Sequence, residues 1–456
     1  MYLHQIKTLL ALFVCFFALY SCKKAETPQN ERVAMAQKTG ESTLNLATIG
    51  AAVQEFEEKK SAAVENTRLA LGSYWTDFEP TGFYLAPNTT LQLDVQQVTG
   101  NSLPKLLIGT YSRYVNKWNP QEVQLTTGTN TITADQFGGL IWIRYGTSGA
   151  PASKAKITFV SGAVRSPVYI KGQTTLSDWA NQLNTYTNAP DVVLVGDRVY
   201  FVYARSRAID TKTQDNNYVL EKADQTMNVE DDLSGLDGSA PQHQPNANTR
   251  LLLTETDNSD YWMVATYYRT AYYTDAAPYA FTPLIGSVDG WGPWHELGHM
   301  HQQQAWKWST LGEVTVNIYS LAVERAMGVT PSRLKRDNVW PTALSYLADT
   351  SVNKDFNDSS MPNGVWVRLC MFHQLWLAYG DSFYKQLHKQ TRIELPSVST
   401  DAEKMRYFML KACAISGENL SSFFRKWGFK VDESVYAEMA NLGLPVPATD
   451  PSTLSE

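Results

Sequence analysis

Between about residue 74 and residue 170 the chain is built of short β-rich runs separated by turn residues, and from Trp291 onward helical periodicity takes over. Leu91-Gln92-Leu93-Asp94-Val95 alternates apolar and polar residues, the period of a half-buried strand. Lys105 to Thr110 and Leu140 to Tyr145 are further strand-like runs, and Thr127-Gly128-Thr129-Asn130 and Gly138-Gly139 supply turn chemistry. Several such strands predict a β-sandwich-like module. Val192–Val195, Val199–Val202 and Leu251–Thr254 read as later strands, and Asp215 to Asp232 as containing a helix. Helical patterns follow over 291–305, 311–327, 365–379, 382–391, 401–415 and 419–427. Strands first and helices later is an α+β order, here a sandwich-like module packed on a mixed α/β and then mainly helical domain.

The N-terminus sets a compartment. Leu9 to Leu19 is an apolar run preceded by Lys7, long enough for a signal-peptide core and too short to span a bilayer. It ends in Ser21-Cys22, which resembles the lipobox of bacterial lipoproteins and implies acylation of Cys22. The expected organisation is a signal peptide over 1–22, a tether and helical segment over 23–73, the sandwich over 74–170 and a mixed, then mainly helical domain over 171–445. The helix is expected within 43–70, where Ala, Glu and Lys dominate. Beyond the leader only Cys370 and Cys413 remain, both in apolar helical stretches, and two buried free thiols are expected. With 43% hydrophobic residues, core burial can carry stability, and a net charge of −6 without a long basic run excludes the electrostatic footprint of a nucleic-acid binder. The expected location is the bacterial cell envelope, with contact to membrane through the lipid anchor alone, as an outer-membrane or surface lipoprotein and a monomer.

His295-Glu296-Leu297-Gly298-His299 carries the chemistry. Residues four apart share a helix face, so two imidazoles can hold one metal ion while Glu296 reaches a water beside it as general base. Chance offers little explanation in a chain with 7 His, of which three lie between 295 and 301. Glycine at 298 is unfavourable by about 1 kcal/mol in a helix, which a close approach to a neighbouring backbone would explain. Catalytic zinc takes three protein ligands and keeps one position open. His301 points about 120° away from His295 and is expected in a supporting or surface position. Two downstream carboxylates are in range, Glu313 and Glu324. Asn317, one turn after Glu313, offers polar support and favours Glu313, whereas Arg325 suits Glu324 to an ion pair. His373 is a candidate oxyanion donor or a core residue. Trp291, Trp294, Trp306 and Trp308 could stack on sugars, with core packing the favoured reading, and Trp376 reads as core. His243 reads as a solvated loop residue.

The block from Trp291 to Gln302, with Gly312-Glu313-Val314-Thr315-Val316-Asn317-Ile318-Tyr319, resembles the enhancin family of zinc metallopeptidases, a gluzincin group (HExxH…E) that includes bacterial mucin-directed peptidases. Pro80 to Tyr84, Leu107 to Tyr111, Phe372 to Trp376 and Tyr379 to Tyr384 are also similar to that family. The resemblance implies Zn2+ held by His295, His299 and Glu313, with Glu296 as catalytic base. It implies a zinc endopeptidase that cleaves O-glycosylated, mucin-type proteins. An aminopeptidase of the same group would carry Gly-x-Met-Glu-Asn, which is absent. The alternative from another class is a non-catalytic glycan- or glycoprotein-binding surface lipoprotein that retains the metal site.

Overall fold

The computed structural model describes residues 46–351 and 354–456. The expected signal peptide and its Cys22 lie outside the described residues. Among the described residues no helix is long and apolar enough to cross a membrane.

Two sheets form the N-terminal module. One has four strands in the order Val53–Glu57, Lys154–Ser161, Thr90–Thr99, Gly128–Thr133; the other has five, centred on Phe78–Leu85, Gly139–Arg144 and Lys105–Ile108. Their inner faces bury Phe56, Leu93, Val95 and Ile157 against Phe83, Leu106, Ile141 and Ile143. The module begins earlier than the sequence pattern implies. Val53–Glu57, expected to be helical, is instead an edge strand with alternating exposed and buried residues. It pairs antiparallel with residues 154–158. Gln54 Nε2 donates to the Thr81 carbonyl at 2.7 Å, and Lys154 Nζ reaches Glu55 at 2.9 Å and Glu57 at 3.5 Å. Helix propensity in an Ala/Glu/Lys-rich segment is a weak prior that strand pairing overrides. The helix is confined to Ala62–Leu69, capped by Ser61.

The second layer is a six-stranded mixed sheet in the order Val168–Ile170, Asp191–Val195, Val199–Ala204, Leu251–Thr256, Arg269–Tyr273, Met263–Thr266. Strand alternation divides its side chains between two cores. Val193, Val195, Tyr200, Val202 and Leu252 pack with Phe78, Leu107 and Trp142 of the sandwich. Val192, Leu194, Phe201 and Leu253 face Leu220 and Met227 of α1 (Asn216–Leu233) and Leu297 of α2 (Trp291–His299). The final strand, Met263–Thr266, pairs on one side only and lies beside α2.

The C-terminal half is helical: α3 (Gly312–Ala326), α4 (Gly364–Tyr379), α5 (Asp381–Glu394) and α6 (Asp401–Ser416) build the largest core. Trp294, Trp306 and Trp308 are fully buried, and Cys370 and Cys413 are buried free thiols. Helix α2 stops at His299 instead of continuing to 305. Residue 303 adopts an extended conformation that bridges Leu71, and the Tyr319 hydroxyl donates to the His301 carbonyl at 2.9 Å, so the chain is tied down elsewhere after one further turn.

Candidate metal centre

Helix α2 presents His295 and His299 on one face, and the first turn of α3 brings Glu313 against them. The two Nε2 atoms are 3.1 Å apart, and Glu313 Oε2 lies 2.9 Å from one and 3.4 Å from the other. Gly298 makes this approach possible. A Cβ there would stand 3.1 Å from the Val316 carbonyl oxygen and 3.2 Å from the Tyr319 Cβ on α3.

Amide side chains set the imidazole tautomers. Asn317 Nδ2 donates to the Glu313 carbonyl at 2.8 Å, which turns its Oδ1 toward His295 Nδ1 at 2.9 Å. Gln302 Nε2 donates to the Gly312 carbonyl and to Thr315 Oγ1, so its Oε1 accepts from His299 Nδ1 at 2.8 Å. With the Nδ1 protons so engaged, both Nε2 lone pairs and a carboxylate oxygen face one another, and such a group repels itself unless a cation lies among them. A proton in the cation's place, donated from His295 or His299 to Glu313, draws that carboxyl well below the usual range. Burial would lower the His295 pKa, but Glu313 and Glu296 raise it. Zinc bonded at about 2.0–2.1 Å in a tetrahedron separates its ligand atoms by about 3.3 Å, close to the three distances here. Two imidazoles and one carboxylate are a donor set suited to Zn2+, and these three residues could hold it.

Glu296 points from the same helix into a buried position, where desolvation pushes its carboxyl above the usual range. The backbone N–H of Ala265, on the free edge strand, faces it and favours its charged form.

The remaining sequence candidates lie elsewhere. His373 is buried on α4, its Nε2 2.9 Å from Glu456 Oε1 and its ring against Trp340 and Trp376. Its polar partner is the Glu456 carboxylate, and among the described residues no hydrogen bond or ion pair joins it to His295, His299 or Glu313. Trp291, one turn before His295, packs on Trp294 and Trp366 with the Arg333 guanidinium over its ring; at 7% exposure it offers no sugar platform. Glu324 is ion-paired with Arg336 at 2.9 Å. His243 is buried, contrary to the solvated reading, and accepts from Arg392 Nε at 3.3 Å. His301 is buried beneath the metal helix: Nε2 lies 3.0 Å from Asp231 Oδ1, and Nδ1 donates to the Leu297 carbonyl with Glu230 Oε2 at 3.0 Å. Burial would lower its pKa, but the two carboxylates push it up to about 9. Sequence reasoning missed Gln302, the edge strand and the Glu230–Asp231 pair. Gln302 had a faint signal, as a polar residue three positions after a ligand-type histidine; the other two are far away in sequence.

A sandwich joined to a mixed sheet, with HExxH on one helix and a carboxylate from the next facing it, defines an HExxH…E metallopeptidase-type fold and site. The profile of Peptidase M60, enhancin and enhancin-like, matches residues 162–428, and that of the N-terminal domain of M60-like peptidases matches residues 60–159. The chain belongs to the M60 peptidase family. Among solved structures, a functionally unknown conserved protein from Bacillus anthracis superposes with a TM-score of 0.78 at 31% identity, over 89% of this chain and 81% of that one. The M60 catalytic domain of Clostridium perfringens ZmpC, in complex with the sialyl T antigen, gives a TM-score of 0.71 at 20% identity, over 88% and 82%. A TRPM8 channel-associated factor homolog from Xenopus laevis is 25% identical over 385 residues, covering 81% of this chain. This chain spans 40% of the length of that relative.

Proposed function

We propose that this protein is a zinc-dependent endopeptidase that cleaves O-glycosylated, mucin-type proteins. The observation that carries the reading is the set of three lone pairs from His295, His299 and Glu313, oriented by Asn317 and Gln302 and in need of a cation. Zn2+ held there supplies a Lewis acid that polarises a carbonyl and lowers the pKa of a water molecule toward about 7.

The chain's own groups do the rest. The Glu296 carboxylate takes the proton of the attacking water and passes it to the leaving amine as the C–N bond breaks. Met263–Thr266 has an unpaired edge, on which an extended peptide could add as a strand across the site. The open side lies at Glu313, whose side chain is 64% exposed.

The glycan requirement draws its support from family membership and from the sialyl T antigen named for the ZmpC domain. The name of the Xenopus relative speaks of channel association and not of proteolysis, so the test must separate cleavage from binding. Mass spectrometry of a mucin-type glycoprotein after incubation, with its deglycosylated form and the Glu296→Ala variant alongside, does so. Cleavage of the glycosylated form only, lost in the variant, is expected. Cleavage of both forms removes the glycan requirement. Binding without cleavage by a zinc-loaded protein establishes the non-catalytic alternative.

Display on the cell envelope through a lipid on Cys22, as a monomer, completes the reading. It is supported by the order of Lys7, the apolar run and Ser21-Cys22. Incorporation of labelled fatty acid that is lost in Cys22→Ala would test the anchor.

A further inference from the structure

We propose that the N-terminal sandwich is a working part of the proteolytic site: it holds the edge strand Met263–Thr266 against Glu296, with Arg269 as the positioning residue. The proposal rests on the peptidase reading above.

The Ala265 N–H of this strand faces the base and favours its charged form. The strand also packs closely on the metal helix, since a Cβ on Gly292 would stand 2.5 Å from Met263 Sδ. An edge strand has one neighbour and little of its own to fix its height over the site. Here both of its ends are fastened to the sandwich. On the approach side, Asp257 Oδ1 accepts from the Val115 N–H at 2.6 Å, and the rings of Tyr261 and Trp118 pack together. On the exit side, Thr76 Oγ1 donates to the Tyr268 carbonyl at 2.6 Å, and Tyr268 N–H donates to the Tyr74 carbonyl at 2.7 Å.

Arg269 joins the two modules at this exit. Its Nε donates to Ser112 Oγ at 2.8 Å, its NH1 donates to the Tyr267 carbonyl at 2.5 Å, and its guanidinium lies over the rings of Tyr111 and Trp118. The side chain is buried; among the described residues no carboxylate pairs with it, and its NH2 has no hydrogen-bond partner. A buried charge without a counter-charge is a poor source of stability. A planar fork stacked between two aromatic rings is, however, a stiff strut, and that is the role the geometry assigns to it.

The test is Arg269→Met in the full chain, read by zinc content, thermal unfolding, hydrogen exchange and steady-state cleavage of a mucin-type glycoprotein. Zinc content and the unfolding midpoint are expected to stay, while exchange across 263–266 quickens. With the strand displaced, kcat/KM should fall by about tenfold or more, since misplacement of about 1 Å can cost a hundredfold. Arg269→Lys, which keeps the charge without the fork, gives the same reading if the methionine variant does not fold. Unchanged exchange at the strand, or quicker exchange with unchanged kcat/KM, overturns the proposal. So does an activity loss that only tracks a lower unfolding midpoint and exchange raised throughout the molecule. A wild type that cleaves nothing sinks the peptidase reading instead, and the exchange of 263–266 then decides the coupling alone.

Discussion

Asn317 Oδ1 lies 2.9 Å from His295 Nδ1, and the same amide donates to the Glu313 carbonyl at 2.8 Å. One side chain thus fixes the tautomer of the first histidine while bracing the turn that carries the carboxylate. Gln302 does the corresponding work for His299 through Gly312 and Thr315. The two helices meet as a matched pair, each histidine ligand candidate anchored to the helix that bears Glu313.

If these amides set the ligand geometry, each should govern metal affinity without touching the metal. Asn317→Ala and Gln302→Ala are each expected to weaken zinc binding by about 10–100-fold, with the fold retained. Competition against a chromophoric chelator measures this. Affinity equal to wild type in both variants would mean that the histidines are oriented by other contacts.

Glu296 neighbours the metal ligands but faces Ala265, so its carboxylate is separable from metal retention. Glu296→Gln should keep stoichiometric zinc and lose about 10²–10⁴-fold in kcat, the range of a general base. Loss of zinc together with activity would make it a structural support instead. Chelation of the wild type should abolish cleavage and zinc addition restore it, while the cores away from the site keep the protein folded.

A Cβ at Gly298 would stand 3.1 Å from the Val316 carbonyl oxygen on α3, so the neighbouring helix must give by a few tenths of an ångström to admit a methyl group. Alanine is favoured over glycine by about 1 kcal/mol in a helix interior. Overpacking a tight contact costs about 1–3 kcal/mol, so the steric term should win and Gly298→Ala should destabilise. Gly312 has no heavy atom within 4 Å of an added Cβ, so Gly312→Ala serves as the control and should be neutral or mildly stabilising. Urea midpoints of the two variants decide the matter; equal midpoints would refute the close-approach account.

The HExxH helix and the carboxylate that faces it were legible in the sequence because both rest on local spacing: four residues within one helix, then a polar partner one turn after Glu313. Gly298 was legible as an anomaly against propensity, and α3 supplied its cause. The strands of the sandwich and the order of strands before helices were readable for the same local reason. Val53–Glu57 was not, since its strand character comes from residues 154–158, about a hundred positions away. The same holds for the Ala265 contact to Glu296, for the Glu230–Asp231 pair and for Arg269, each of which depends on long-range packing. His373 was legible only as a choice between oxyanion donor and core residue, because its carboxylate partner Glu456 lies eighty-three residues on.

The buried His301 cluster makes stability pH-dependent with a definite sign. His301 sits at about 9, above the usual histidine range, so its contribution is fully present below about pH 6.5 and is lost as pH rises through 9. Burial pushes the Glu230 carboxyl up to about 7, so the native state also holds this proton more tightly than the unfolded chain does. Both groups act in the same direction, and between about pH 4.5 and 9 they make the fold less stable as pH rises. Asp231 opposes neither, because Arg198 and His301 hold it ionised despite its burial. Glu230→Gln imitates the protonated carboxyl. Relative to wild type it should be close to neutral at pH 5 and stabilising at pH 8, where wild type must ionise a buried group. Thermal unfolding of the metal-free protein at the two pH values measures this, with zinc linkage removed. A variant that loses stability more at pH 8 than at pH 5 would show that Glu230 pairs favourably as an anion with His301, and its contribution to the pH dependence would then carry the opposite sign.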